Sequence, residues 1–261
     1  LLFNRLMTRI ITWNVNGIRS IAKKDFFNDL KALSPDVLCL QETKASGDEV
    51  TQTLEQANGY HVYSNSSKAR KGYSGTAVIC KEKPVDVLMD IGMAEHDREG
   101  RVVAAEFNGC FVVSVYVPNS GEGLARLDYR IEWDTHFRQY IQWLDRRKPV
   151  IICGDFNVAR EPIDIARPKE NYNKSAGYTQ REIDSFEKLL SAGFTDVWRT
   201  KHPGEAKYSY WNYWMNAREK NVGWRIDYIL VSNRIASRVK ASEIHNECFG
   251  SDHCPVSIEV E

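Results

Sequence analysis

Apolar positions in this chain fall mostly in short unbroken runs of strand length, at residues 9–13, 36–40, 76–80, 101–107, 110–117 and 150–153. Such runs suit strands buried on both faces, although periodicity alone does not exclude a buried helix. Residues 60–64, 85–89, 225–231 and 238–244 add further strand-like segments, and 255–260 alternates as a final strand. Helical spacing appears between them. Phe26, Phe27, Leu30 and Leu33 fall on one face of a helix predicted over 20–33, ended by Ser34-Pro35. Further helices are predicted over 48–57, 124–147 and 180–191, and Asn108-Gly109 marks a hairpin. Residues 159–176 read as irregular. Strands and helices alternate in both halves with no linker, low-complexity tract or repeat, which predicts one α/β domain with mixed sheets over residues 8–261 after a short extension, 1–7.

The run at 150–153 stops at Gly154-Asp155-Phe156-Asn157. A glycine there is expected to let the backbone turn, so that Asp155 and Asn157 project from the strand's carboxyl end, where open α/β sheets place their chemistry. Other runs end in, or are flanked by, similar side chains: Asn14 and Asn16 after Trp13, Gln41-Glu42, Tyr116 to Asn119, Asp227 after Arg225-Ile226, and Ser251-Asp252-His253. A single Asn or Asp after a strand is usually a turn former. Repetition across separate strands is what suggests a shared site.

Those residue types favour a narrow chemistry. Glu42 and Asp252 are hard oxygen donors, and Asn16 adds a carbonyl oxygen or holds a water, a set suited to Mg²⁺ or Mn²⁺. Clustered Cys/His ligands for zinc are missing. Asn14, Asn119, Asn157 and His253 are donors for phosphate oxygens, Tyr116 donates to an oxyanion or carries a proton, and Asp227 can pair with a histidine ring and fix its tautomer. No serine or cysteine stands in a nucleophile elbow. Water-mediated hydrolysis of a phosphate ester is therefore the expected reaction.

Composition changes this picture little. The 261 residues carry 35 Lys plus Arg against 35 Asp plus Glu, so a nucleic-acid partner needs a local basic face rather than bulk charge. The six cysteines form no C-x-x-C pair and read as buried free thiols of a reducing compartment. No apolar run approaches a membrane span.

The motifs carry a family resemblance. Trp13 to Arg19, Leu40 to Lys44, Gly72-Tyr73-Ser74-Gly75, Tyr116 to Asn119, Gly154 to Asn157, Asn216-Ala217-Arg218, Asn221 to Tyr228 and Gly250 to Pro255 occur in order. Together they resemble the exonuclease III-type apurinic/apyrimidinic (AP) endonucleases of the endonuclease/exonuclease/phosphatase superfamily over about residues 9–260. The resemblance implies a four-layered α/β sandwich, two packed mixed sheets with helices outside. It implies cleavage 5′ to an abasic site leaving a 3′-OH, with 3′→5′ exonuclease and 3′-phosphodiesterase activity beside it. Glu42, Asp252 and Asn16 would hold Mg²⁺, or Mn²⁺ in its place. Asp155, oriented by Asn14 and Asn157, would position the attacking water. His253 with Asp227, and Tyr116 with Asn119, would serve the phosphate; the base stays open between Asp155, Tyr116 and a metal-bound hydroxide.

The same resemblance makes Tyr210, Trp224 and Ile226 the walls of a pocket for an extruded abasic sugar, where Tyr210 and Ile226 replace the commoner Phe and Leu. Arg19, Lys44, Tyr73, Arg101 and Arg126 fall near positions that face DNA. Glu122 departs from the pattern, because an acid there repels phosphate. The implied partner is duplex DNA with abasic sites or blocked 3′ ends, met by a monomer in a cytoplasmic or nucleoid setting (the nucleus in a eukaryote), with no membrane and no targeting segment. Two alternatives stay open: a phosphoinositide or sphingolipid phosphoesterase of the same superfamily, and a catalytically silent DNA-binding module.

Overall fold

The computed structural model describes residues 7–261, so residues 1–6 of the expected extension lie outside it. Two six-stranded sheets form the centre. The first has the order β11-β12-β1-β2-β4-β3, built from β1 (Thr8–Asn14), β2 (Val37–Gln41), β3 (His61–Asn65), β4 (Thr76–Cys80), β11 (Val239–Ile244) and β12 (Val256–Val260). The second has the order β5-β6-β7-β8-β10-β9, built from β5 (Asp86–Met89), β6 (Val102–Glu106), β7 (Phe111–Tyr116), β8 (Val150–Asp155), β9 (Phe194–Asp196) and β10 (Asp227–Ser232). Each sheet has one parallel pair, β1 with β2 and β7 with β8, and antiparallel neighbours elsewhere. The expected mixed sheets and layered sandwich are what the chain forms.

Alternation along the strands explains the layers. Ile10, Val37, Cys39, Val112, Ile151, Cys153 and Ile229 pack between the sheets. Ile11, Trp13, Leu38 and Leu40 face the opposite way, against α1 (Ile18–Ile21), α2 (Phe26–Leu33) and α3 (Gly47–Leu54). On the other side Val113, Val150, Ile152 and Leu230 meet Trp133 and Phe137 of α4 (Leu127–Arg147), with Phe186 of α6 (Gln180–Ser191); the short α5 (Pro168–Asn171) lies between α4 and α6 in sequence. Both faces of each sheet are covered, which is why the runs are continuously apolar.

Three expectations change. The helix expected over 20–33 is two, α1 and α2, separated by a turn in which Lys24 Nζ donates to the Gly250 carbonyl at 2.8 Å. Residues 194–201, left unassigned by periodicity, form β9 and α7 (Val197–Lys201), and the Asp196 side chain caps α7 by accepting from the Arg199 N–H. Gly154 does not turn the chain. It lies inside β8 in parallel register with Val115, and a Cβ there would sit 2.0 Å from the Val115 carbonyl oxygen. The glycine allows close approach of two backbones; Asn157, with φ 48°, makes the turn.

Candidate active site

The parity that fills the core also fixes the site. Asn14 follows Ile10 and Thr12 on the inner face of β1, Asp155 follows Ile151 and Cys153 on β8, and Asp227 precedes Ile229 on β10. Tyr116 follows Val112 and Ser114 on β7. All four therefore reach into the gap between the sheets at one edge. Register adds the lateral order, with Asp155 opposite Tyr116 on one side and Asp227 on the other.

Two strand ends use the same local device. The Asn14 side-chain oxygen accepts from the Asn16 backbone N–H at 3.0 Å, and Asp155 Oδ1 accepts from the Asn157 N–H at 2.9 Å. Asn16 and Asn157 both adopt left-handed φ, 46° and 48°, which asparagine tolerates better than most side chains. The two turns face each other across the sandwich, and Asn14 Nδ2 donates to Asp155 Oδ2 at 2.9 Å and to Glu42 Oε1 at 3.0 Å.

Next to Asp155 stands a buried acid–histidine pair. His253 is 4% exposed, and its Nδ1 lies 2.8 Å from Asp227 Oδ2. Its Nε2 is left facing Asp155 Oδ2 at 3.9 Å. Ser209 Oγ donates to the same Asp227 oxygen at 2.7 Å. Burial opposes a charge on His253, but Asp227, with Asp155 and Asp252 behind it, outweighs burial and raises the ring to about 10. Burial pushes the Asp155 carboxyl up to about 7; charged His253 pulls the other way and Asp227 adds to the rise. Burial, reinforced by Glu42, holds the Tyr116 phenol well above its usual range, so near neutral pH it is a proton donor.

Donor chemistry for a cation is present on the other flank. Ligand atoms of Glu42, Asp155 and His253 lie within 4.8 Å of one another. Lys44 Nζ sits 2.7 Å from Glu42 Oε2 and also contacts Asn16 Oδ1, so an ammonium already occupies a place between hard oxygens. Burial would raise Glu42, but Lys44 and Asn14 hold its carboxyl below the ordinary range. Asn16 Nδ2 donates to Asp252 Oδ1 at 3.0 Å, which brings Asp252 alongside. A hard divalent ion fits this oxygen-rich flank. A second group, Glu95, His96 and His136, lies away from the cleft. His96 Nε2 is already hydrogen-bonded to His136 at 2.8 Å, and His96 Nδ1 is buried without a partner. A metal on Nε2 would force the proton onto that unpartnered nitrogen, against the usual design of histidine ligands.

Glu42, Tyr116, Asp155, Asn157, Asp252 and His253 line a cleft of about 360 Å³. Tyr210, Trp224 and Ile226 form its apolar wall; the Tyr210 ring lies 4.7 Å from His253, and Tyr210 and Trp224 are bridged backbone to backbone. The opposite side is Asn119, whose Nδ2 donates to Asn157 Oδ1 at 2.9 Å. The remaining candidates sit outside the cleft. Arg19 is exposed and paired with Glu49 at 2.6 Å. Arg101 is 2% exposed, with its guanidinium bonded to Glu99, the Tyr116 carbonyl and the Tyr73 hydroxyl. It braces Tyr73 and stacks on the Tyr116 ring rather than presenting a free charge. Arg126 shares Tyr73 and Glu99 but is partly exposed.

Sequence reasoning missed Ser209, which orients Asp227, and Glu182. The Glu182 carboxylate is fully buried and accepts from the Gly177 N–H at 3.0 Å, from Thr179 and from Ser120 Oγ, tying the cleft wall at 175–177 to the loop after Asn119. Only the capping box of Thr179 and Glu182 was readable beforehand. Trp214 and Met215, beside the cleft, are also unexpectedly exposed.

Comparisons with known proteins agree with this geometry. The sequence matches the Endonuclease/Exonuclease/phosphatase family over residues 11–253. It is 46% identical to the DNA repair nuclease APEX1 of Danio rerio over 252 residues, covering 96% of this chain and 81% of that protein. Identity is also 46% to the exodeoxyribonuclease of Bacillus subtilis, covering 96% of this chain and 98% of that one. Among solved structures, an AP endonuclease from Archaeoglobus fulgidus superposes with a TM-score of 0.87 at 32% identity, covering 96% of this chain and 98% of that chain. The 3′ phosphatase NExo from Neisseria, bound to product DNA hairpin, also gives 0.87, at 28% identity and with coverage of 97% and 99%. The chain belongs to the endonuclease/exonuclease/phosphatase family, as an AP endonuclease of the exonuclease III type.

Proposed function

We propose that this protein is a DNA-repair AP endonuclease that hydrolyses the phosphodiester 5′ to an abasic site and leaves a 3′-OH, with exonuclease and 3′-phosphodiesterase activity at the same cleft. The observation that carries this reading is Asp155, clasped by Asn14 and the Asn157 N–H, beside the Asp227-bound His253 in the cleft walled by Tyr210, Trp224 and Ile226.

Asp155 holds the attacking water and, with a carboxyl near neutrality, takes its proton. The His253 ring, fixed by Asp227, aims its Nε2–H at the phosphate, where negative charge grows as the bond to water forms. Tyr116 and the second N–H of Asn119 donate to the same group. Asn157 acts through its neighbours: its backbone N–H aims Asp155, and its side chain is spent on Asn119 and the Val117 carbonyl. Glu42, with Asn16 and Asp252 beside it, would hold a divalent ion, Mg²⁺ or Mn²⁺, which supplies positive charge for the phosphate and the departing oxygen.

The pocket selects the lesion by size. A deoxyribose without a base fits between Tyr210, Trp224 and Ile226, and extruding it costs less than unstacking an intact nucleotide. Arg19 and Arg126, each partly exposed though paired with an acid, are the cations we expect to meet the duplex backbone. The deciding test is nicking of a duplex carrying one abasic analogue, against undamaged duplex and a phosphoinositide, with and without EDTA. Metal-dependent incision beside the lesion alone supports the reading. Turnover of the lipid, or a gel shift without incision, supports the alternatives.

A further inference from the structure

Arg130 lies on α4, outside the cleft, and is 1% exposed. Only one edge of its guanidinium is used for an ion pair. One nitrogen, Nε, pairs with Asp134 at 2.8 Å. The other two turn to backbone carbonyls: Nη1 donates to Pro118 O at 2.9 Å and Asn157 O at 3.3 Å, and Nη2 donates to Phe156 O at 2.8 Å. Those carbonyls belong to the two loops that leave β7 and β8 just where the reacting groups stand. Pro118 precedes Asn119, and Phe156 and Asn157 follow Asp155.

Buried carbonyls beyond the end of a sheet need partners, and one planar fork reaches three of them at once. A lysine ammonium could not copy that geometry. The consequence reaches the reacting groups through Asn157, whose left-handed φ of 48° is held from both sides. Arg130 fixes its carbonyl, while its N–H sets Asp155 Oδ1 and its side-chain oxygen sets Asn119 Nδ2. Loss of the fork would leave these three groups present but loosely aimed.

We propose that Arg130 is a positioning residue for the reaction, acting from behind the two strand ends to set the Asp155 water site and the Asn119 donor relative to each other. This rests on the reading of the cleft as a phosphodiesterase site. Arg130 never touches DNA on this account, so its loss should appear in kcat and not in KM.

The test is steady-state cleavage of abasic-analogue duplex by wild type, Arg130→Lys, Arg130→Met, Asp134→Asn and Asn157→Ala, with a melting curve for each. Arg130→Lys keeps the charge beside Asp134 and loses the fork; it should lower kcat about 10-fold and change KM less than about 3-fold. Arg130→Met should approach the roughly 10²-fold loss of a misplaced reacting group. Asp134→Asn removes the ion-pair charge but spares the carbonyl contacts, so its kcat should stay within about 3-fold of wild type even if it melts earlier. In the Arg130→Lys/Asn157→Ala double variant, the arginine change should add little to the loss from Asn157→Ala alone, as coupled groups behave. Wild-type kcat in folded Arg130→Lys, equal losses in Asp134→Asn, or fully multiplicative losses in the double variant would each overturn the proposal. Failure of the wild type to incise would instead overturn the functional reading.

Discussion

Asp227→Asn tests how the site makes its cation. The carboxylate is buried, and its Oδ2 receives both His253 Nδ1 and Ser209 Oγ. An amide keeps the shape but removes the charge that outweighs burial at His253. With the ring at about 10, it is essentially all charged at pH 7.5. At the ordinary histidine value of ~6.5 only about a tenth of the molecules would be charged, and burial unopposed by Asp227 lowers that further. The sign follows directly. A raised histidine is cationic below its raised value, so the wild type keeps its donor up to about pH 10, whereas the variant loses it as pH rises through the neutral range. Loss of one donor aimed at developing charge costs about 10²–10³ in rate. Single-turnover cleavage of abasic-analogue duplex, followed from pH 5.5 to 9, should show the variant slower by that factor at pH 7.5, with the gap from wild type narrowing toward pH 5.5, where both lose rate as the Asp155 carboxyl, near 7, takes up a proton. The imidazole NMR resonances of metal-free protein should place His253 far lower in the variant. A variant within about threefold of wild type at every pH, or an unmoved His253 titration, would refute the reasoning.

Gly154→Ala places a Cβ 2.0 Å from the Val115 carbonyl, so the parallel β7–β8 pair cannot close; the expected result is insoluble protein or a strongly lowered melting temperature, checked by circular dichroism. Asp164 is buried against Arg225 and Arg199; burial would raise its carboxyl, but the two guanidinium groups lower it below the ordinary value. Its stabilisation is therefore present at neutral pH and lost as pH falls through the lowered value. Asp164→Asn should cost about 3–5 kcal/mol at pH 7, and calorimetry from pH 7 to pH 3 should show the gap from wild type closing only at the acid end. Glu122 is exposed on the loop after Asn119. Glu122→Arg should bind duplex DNA more tightly with a steeper salt dependence, read by fluorescence anisotropy; unchanged affinity would place that loop off the DNA.

How much was legible in the sequence depended on the range of the interaction. Strands such as β1, β4 and β8 were readable because burial on both faces leaves a continuous apolar run. The helix at 20–33 was overread because its apolar spacing is genuine while its break is tertiary, with Lys24 drawn to Gly250 more than two hundred residues away. β9 is three residues and α7 is five, too short for any period to register. At the site, Asn14, Asp155 and Tyr116 announced themselves as polar residues ending apolar runs and Asp227 as one flanking a run, and strand parity then forces them into one gap. Gly154 was noticed for the wrong reason, since a close approach to Val115 is invisible without the neighbouring strand. Ser209 and Arg130 left no usable signal, and Glu182 showed only its capping box with Thr179. The bonds that matter, Ser209 to Asp227, Glu182 to Ser120 and Arg130 to the Pro118 and Phe156 carbonyls, join groups 12 to 62 residues apart, and nothing in residue type or spacing marks such a bond.

The central claim is that Asp155 and charged His253 together drive water onto a phosphodiester beside an abasic sugar. It is tested most directly by measuring single-turnover incision of an abasic-analogue duplex, with Mg²⁺ and with EDTA, by wild type, Asp155→Asn and His253→Asn. A nick 5′ to the lesion ending in a 3′-OH is expected, with no nick in EDTA, losses of at least about 10²-fold in both variants, and far-UV circular dichroism matching wild type. Near wild-type turnover in either folded variant, or equal internal nicking of undamaged duplex, points to a different chemistry.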